Sequence, residues 1–428
     1  MDRFVIKGGV PLKGTVAISR AKNAALPIMA AALLTDGQVV IKDCPRLVDV
    51  KAMTAILRVL GAQVKRRGDD LVIRASGRIR HKAPYDLVRK MRASFCVLGP
   101  LSARLGHAEV SHPGGCVIGD RPVDLHIKGL EALGARVRTV GGYVVAEATP
   151  LVGATIYLGG PSGSTVLGTA NVMMAATLAH GRTVIENAAC EPEVLNLIDC
   201  LNRMGARIRF SGNKRLEIRG VQRLRGVTTR LIPDRIEAGT FMIAAAATRG
   251  DVTLKDVCLD HMHAVVDKLR DVGVVVTPVG KRACRVTASG SFRPADVSTL
   301  PYPGFPTDLQ AQLMALLTVA DGVSVITEKI YPDRFMHVGE LARLGARLRK
   351  EGPHAIITGP AKLSGAPVMA SDLRASAALV IAGLMADKET TVNRIYHLDR
   401  GYERMERKLR KLGARIRRSS DDEPIPQV

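Results

Sequence analysis

The sequence predicts an α/β fold of six repeated units of about 70 residues, three to each of two lobes, on three observations. First, a Leu-Gly-Ala-like turn recurs six times, with glycines at Gly61, Gly134, Gly205, Gly273, Gly345 and Gly413, spaced 68–73 residues apart. Second, another turn recurs in step at Gly37, Gly106, Gly181, Gly250 and Gly322, with Lys388 in the sixth place. Third, six segments (24–34, 93–103, 168–179, 238–247, 309–320 and 375–386) contain no charged residue. Two markers sharing one period are the signature of a repeat architecture. The three-plus-three grouping rests on size, since two lobes of about 200 residues suit ordinary domains.

Each unit reads as two kinds of helix and a set of strands. The helix before each Leu-Gly-Ala turn is amphipathic. In the first unit Leu47, Val50, Met53, Leu57 and Leu60 recur at steps of three and four, with Lys51 and Arg58 turned outward. The glycine that follows suits a left-handed C-cap. The six uncharged segments read as helices apolar on every face, which must be buried on every face. β-rich runs such as 39–41, 64–65, 71–73 and 183–185 follow both kinds of helix.

Composition narrows the function classes. Hydrophobic residues make up 46% and charged residues 24%, the balance of a globular protein. Trp is absent and aromatics are 3%, which argues against a single-strand nucleic-acid binder dependent on base stacking. The net charge of +22 is spread along the chain. It fits either a generally basic surface or attraction to anions such as phosphorylated substrates. None of the seven cysteines is spaced as CxxC, so neither a disulfide framework nor a zinc site is expected, and no metal or cofactor is assigned. The start, MDRFVIKGG, lacks a signal-peptide layout, and the longest uncharged runs are too short to span a bilayer. A reducing cytoplasm is the simplest setting, without membrane insertion.

Charges collect where the apolar helices begin. Lys22 and Asn23 open the first and Arg92 the second; Asp234, Arg235 and Glu237 precede the fourth, Asp308 opens the fifth, and Asp372 and Arg374 the sixth. Helix N-termini attract anions, whereas Lys and Arg there oppose the dipole. The set therefore reads either as caps and solvated ends or as the lining of a shared cleft. Residues 159–169, GGPSGSTVLGT, are either an ordinary flexible loop or a phosphate cradle of N–H groups and hydroxyls. Residues 112–122, HPGGCVIGDRP, read as a mobile loop with Cys116 at its centre, and Arg121 and His126 close in sequence would lower the thiol pKa. Pro122 suits the first turn of the next helix.

These residues carry a resemblance. SRAKNAALP (19–27), APYDLVRKMRAS (83–94), PGGCVIGDRPVDLH (113–126), ENAACEPEV (186–194), LIPDRIEAGTF (231–241), FPTDLQAQ (305–312), DRFMHVGELARLGA (333–346), DLRASAALV (372–380) and RIYHLDRGYER (394–404) resemble the UDP-N-acetylglucosamine enolpyruvyl transferases, which start peptidoglycan synthesis. The match runs from about residue 3 to 417. The resemblance implies an inside-out α/β barrel. It assigns 1–21 with 232–418 to the C-terminal lobe and 22–231 to the N-terminal lobe, leaving 419–428 as a disordered tail. It also implies two small-molecule substrates, phosphoenolpyruvate and UDP-N-acetylglucosamine, with no nucleic acid.

By that resemblance Cys116 is the proton donor and the target of the inhibitor fosfomycin, and Asp308 is the base for the sugar hydroxyl. Lys22, Arg121 and Arg400 surround the phosphate and reacting centre. Arg374 and Arg400 hold the carboxylate, and Lys22 with Asn23 places phosphoenolpyruvate. Arg92 touches the diphosphate side of the nucleotide sugar. Arg121, Pro122, Val123, Asp124 and Leu125 hold uracil, and Ile330 with Asp308 contacts the sugar. Ser164, Thr165 and Val166 stand in a loop that lacks a lysine some members use. Two further departures are Arg20 in place of a usual Gly, and Cys96 where some members carry a bulky aromatic. The competing expectations are the related transferase acting on shikimate 3-phosphate, and a catalytically reduced paralogue that binds a polyanion.

Overall fold

The computed structural model describes residues 2–113, 123–148 and 150–420. Among these, 20–113 with 123–232 form one compact unit, and 2–19 with 233–420 form the other. Arg20 and Ala21 fall with the N-terminal unit because the Ala21 N–H donates to the Ile232 carbonyl (2.9 Å) and Arg20 pairs with Asp43 (3.8 Å).

Each unit contains three four-stranded sheets, and all six share one topology. In the first, Val227–Arg230 lies parallel to Gln38–Lys42, which pairs antiparallel with Asp70–Arg74, and that strand with the edge strand Gln63–Arg67. The sixth sheet is completed from the other end of the chain. Arg3–Lys7 takes the third place, between Glu389–Asn393 and Arg415–Ser419. Lys13–Ala17 likewise supplies the parallel strand beside Asp251–Lys255. The expected tail therefore begins later than 419. Ser419 is buried opposite Arg3 as the last residue of its strand, while 421–428 lie outside the described residues.

Five of the six antiparallel edge strands point two basic side chains outward: Lys65 and Arg67, Arg136 and Arg138, Arg207 and Arg209, Arg347 and Arg349, Arg415 and Arg417. Cations there discourage edge-to-edge pairing between molecules. Part of the high net charge thus has a structural cause. The sixth edge, Val275–Pro278, ends on a proline, which offers no N–H to pair.

Inside each unit three helices pack on one another: Lys22–Ala31, Leu98–Leu105 and Val166–Ala176 in one, Arg235–Ala247, Gln310–Leu317 and Leu373–Met385 in the other. They form the centres of two separate apolar cores. No helix among the described residues is long and apolar enough to cross a membrane. Several boundaries differ from the sequence reading. The second begins as a 3₁₀ turn, Arg92–Val97, before the α-helix. Three of the helices start early enough to take Lys22, Glu237 and Arg374 into the first turn, each buried. A charge can sit there because opposite charges meet it: Asp49 for Lys22, Lys408 for Glu237 and Asp308 for Arg374.

The outer helices are Val48–Val59, Asp124–Ala132, Pro192–Arg203, His263–Val272, His337–Arg343 and Met405–Lys411. The glycine ending each adopts φ between +91° and +103°. A side chain in this left-handed region costs about 1–2 kcal/mol. The six sites differ in space. A Cβ at Gly61 would lie 2.6 Å from the Arg78 carbonyl oxygen, while one at Gly134 would meet nothing within 4 Å. Gly134→Ala is thus expected to lower the melting temperature by about 2–4 °C, the effect of backbone strain alone. Gly61→Ala adds a backbone clash and should cost about 2–3 kcal/mol. Thermal unfolding of both variants checks the order; equal losses would contradict it.

Candidate active site

In the N-terminal unit Lys22 opens the first inner helix with no side-chain cap from Ala21. Its ammonium reaches Asp49 of the first outer helix at 2.9 Å, and both residues are buried. A buried ion pair gains little net stability, because desolvating both charges offsets their attraction. A cation at this end of the helix also opposes its dipole. Asn23, the next residue, is exposed.

Arg92 is half-buried at the start of its 3₁₀ turn. Helix Asp124–Ala132 places His126 nearby, where burial first, and the Arg92 charge second, bring its pKa down to about 3. The neutral ring suits its partner, since Asn171 Nδ2 lies 3.0 Å from His126 Nδ1. The same Asn171 accepts the Gly99 N–H at 2.6 Å, tying three helices together. Val123 is buried, Asp124 is exposed as the first residue of its helix, and Leu125 is half-buried. Residues 159–169 are not a featureless loop. Gly159–Gly160 and Gly163–Ser164 form a small hairpin, and the Thr165 hydroxyl caps the helix Val166–Ala176 by accepting from the Gly168 N–H (3.2 Å). A Cβ at Gly160 would stand 3.3 Å from Leu125 Cδ1. The fold thus brings Leu125 beside the hairpin that ends in Ser164, Thr165 and Val166. Cys116, Arg121 and Pro122 lie outside the described residues.

In the C-terminal unit Asp308 sits in the 3₁₀ turn Thr307–Leu309, ahead of the second inner helix of that unit. Two guanidiniums hold its carboxylate: Arg334 Nη1 donates to Oδ1 and Arg374 Nη2 to Oδ2, each at 2.9 Å. Burial would raise the Asp308 pKa, but Arg374 and then Arg334 outweigh it and hold the carboxyl well below the usual carboxylate range. Arg374 is nearly inaccessible, and although burial works against its charge, Asp308 keeps it firmly protonated. Its other amine donates to the Tyr402 hydroxyl at 3.1 Å. That hydroxyl lies 2.9 Å from Thr240 Oγ1, and Gln312 Nε2 donates to both at 3.2 Å. Arg334 also donates to the Thr307 hydroxyl (2.9 Å), which donates to buried Glu328 (2.9 Å). Glu328 accepts the N–H groups of Ile330 and Tyr331, fixing the turn that carries Ile330. Arg400 is half-buried at the end of Ile395–Arg400, where burial and then the Arg400 charge lower the pKa of His397.

The charges at the helix starts separate into kinds. Asp234 and Asp372 are N-caps, each accepting two N–H groups of its helix. Glu237 is a structural tie: Lys408 lies 2.6 Å away and the Ser19 N–H donates to it at 2.6 Å. Arg20 is drawn to Asp43, which Arg230 also approaches at 3.3 Å. Cys96 is fully buried in the core of its unit. The sequence reading passed over Arg334, Asp49 and Tyr402. Arg334 and Tyr402 stood inside quoted motifs, but nothing local marks the pairing of Arg334 with a carboxylate 26 positions away. Asp49 stands in the first turn of its outer helix, where an acid is ordinary and marks no site.

The sequence model of the EPSP synthase (3-phosphoshikimate 1-carboxyvinyltransferase) family matches residues 6–409. The chain is 54% identical to the UDP-N-acetylglucosamine 1-carboxyvinyltransferase of Desulfosudis oleivorans over 98% of this chain and 99% of that protein. It is 53% identical to UDP-N-acetylglucosamine 1-carboxyvinyltransferase 2 of Carboxydothermus hydrogenoformans over 98% and 100%. Among solved structures it resembles the enolpyruvyl transferase NikO from Streptomyces tendae, with TM-score 0.88 and 28% identity over 98% of this chain and 99% of that one. EPSP synthase from Acinetobacter baumannii shares the fold at TM-score 0.76 and 18% identity, covering 98% and 100%. The shared fold is the inside-out α/β barrel. The chain belongs to the EPSP synthase (3-phosphoshikimate 1-carboxyvinyltransferase) family of enolpyruvyl transferases, and within it stands with the UDP-N-acetylglucosamine 1-carboxyvinyltransferases.

Proposed function

We propose that this chain transfers the enolpyruvyl group of phosphoenolpyruvate to the 3-hydroxyl of UDP-N-acetylglucosamine, releasing phosphate, as the first committed step of peptidoglycan synthesis in the cytoplasm. The observation that carries this reading is identity above 50%, over nearly the whole chain, to transferases named for that acceptor. The Cys116 loop motif belongs to the same branch and favours it over shikimate 3-phosphate.

The reaction adds and then eliminates. The Cys116 thiol gives a proton to C3 of phosphoenolpyruvate, and the sugar hydroxyl attacks C2 while Asp308 takes its proton. The tetrahedral adduct then returns a C3 proton to the Cys116 thiolate as the C2–O bond to phosphate breaks, and the proton on Asp308 leaves with the phosphate, giving the enol ether. Each positioned acid or base contributes about 10²–10⁴-fold. Lys22, Asn23, Arg121 and Arg400 hold the phosphate and reacting centre. Arg92, Val123, Asp124, Leu125 and Ile330, with Pro122 and the hairpin residues Ser164, Thr165 and Val166, serve the nucleotide sugar.

The Asp308 cluster adds Arg334 to this set. Arg334 and Arg374 already grip a carboxylate, one N–H to each oxygen, so they suit the carboxylate of phosphoenolpyruvate. While they clamp Asp308 it is a poor base. A substrate carboxylate that draws the guanidiniums away restores its basicity, coupling acceptance of the proton to presence of the donor substrate.

Phosphate release is expected with UDP-N-acetylglucosamine and not with shikimate 3-phosphate; the reverse pattern overturns the assignment. Fosfomycin should add to Cys116 alone in a peptide mass map. Burial pushes the thiols of Cys96 and Cys200 up to about 12 and that of Cys284 to about 11, leaving scant thiolate there. An adduct on another cysteine contradicts the role of Cys116. Arg334→Met removes a charge-assisted hydrogen bond, so kcat/KM for phosphoenolpyruvate should fall about 10–100-fold. An unchanged value in steady-state kinetics removes Arg334 from the site.

A further inference from the structure

Outside the reaction machinery, one sheet of the N-terminal unit gathers three side chains of metal-ligand type. Strand His107–Ser111 turns His107 and Glu109 to the same outer face, as residues two apart must. His81 precedes the short strand Lys82–Ala83, which runs parallel to it, and the Glu109 N–H donates to the His81 carbonyl at 2.7 Å. His107 Nε2 lies 3.3 Å, and His81 Nε2 3.7 Å, from the same oxygen, Glu109 Oε1. All three ligand atoms fall within 4.8 Å of one another. Ligands at the usual zinc distances, arranged tetrahedrally, stand about 3.3–3.5 Å apart. The cluster is therefore close to the spacing an ion would impose.

A further carboxylate stands behind the cluster, just beyond hydrogen-bond distance. The other ring nitrogen of His107, Nδ1, faces Glu147 Oε1 at 3.9 Å, directly across the strand pair, and Arg138 holds that carboxylate at 2.8 Å. A carboxylate behind a ligating imidazole orients the ring and raises its basicity. Lys82 Nζ sits 2.9 Å from Glu109 Oε2, leaving Oε1 to serve as a single-oxygen ligand. All of these groups are partly exposed, so an ion has access and a fourth position remains for water.

We propose that His81, His107 and Glu109 form a binding site for a borderline divalent cation of the Zn²⁺ class, which imidazole and carboxylate ligands suit. The Lys82 charge weakens the site, making it an exchangeable rather than a permanently filled one. A bound ion would pin His81 to the neighbouring strand at a place where the strand pairing is only two residues long. The site is independent of the transferase reading, because none of its residues serves that reaction.

The test is titration of untagged full-length protein with Zn²⁺ by calorimetry. Wild type should bind one ion at this site. Glu109→Gln and His107→Asn should abolish that binding, and Glu147→Gln should weaken it about 10–100-fold. His81→Asn, at the most exposed ligand, should also abolish it with least risk to folding. Cys116→Ser should leave it intact, which separates this site from adventitious thiol binding. Wild-type affinity retained in the Glu109, His107 and His81 variants overturns the proposal. So does loss of binding only in Cys116→Ser.

Discussion

A helix with almost no polar surface must be covered along nearly its whole length, and six inner helices among the described residues come close to this, with charged or exposed polar residues such as Arg104 and Asn23 only near their ends. Three such helices can shield one another only in part. Their remaining surface must be covered by something flat and apolar on one side, which the three sheets and three amphipathic outer helices of each unit provide. Most of the architecture follows from this requirement. The repeat length is what one inner helix, one outer helix and one four-stranded sheet consume. The closing of the last sheet by the first strand, Arg3–Lys7, leaves the sixth unit as fully paired as the others.

The same requirement confines charge to the helix ends. Along the inner helices a charged residue would lack both water and a partner, so Lys22, Glu237, Asp308 and Arg374 stand at or just before the first turn. Each of these four is paired: Lys22 with Asp49, Glu237 with Lys408, and Asp308 with Arg374 and Arg334. Pairing in a dry setting makes each group sensitive to its neighbour's loss. In the Asp308 cluster, Arg374 and then Arg334 outweigh burial and hold the carboxyl well below the usual carboxylate range. The Tyr402 hydroxyl accepts from Arg374 and is itself tied to Thr240 and Gln312, a buried network that orients the guanidinium.

The net charge shows the same logic at the surface. Ten outward Lys and Arg residues sit on five edge strands, where they guard unpaired backbone. These ten cations account for part of the +22 charge without a binding partner. Most of the fold was legible beforehand because its signals are periodic and local: an amphipathic stripe, a left-handed glycine, a charge-free run. Boundaries were less legible. The first turns took in Lys22, Glu237 and Arg374 because partners distant in sequence neutralise them.

By itself the sequence determined the repeat, the two kinds of helix, the C-cap glycines and the motif residues that mark the family. Each of these depends on residues within one turn or one strand of each other, or on a pattern that repeats. Tertiary structure alone decided which charges serve as caps, which as ties and which as a cluster. It alone brought Arg334 to Asp308, Asp49 to Lys22, and His81 to His107 and Glu109. Electrostatic and ligand geometry act through space over a few ångströms, and in this chain those neighbours stand some two dozen or more positions apart, where no local pattern can record them.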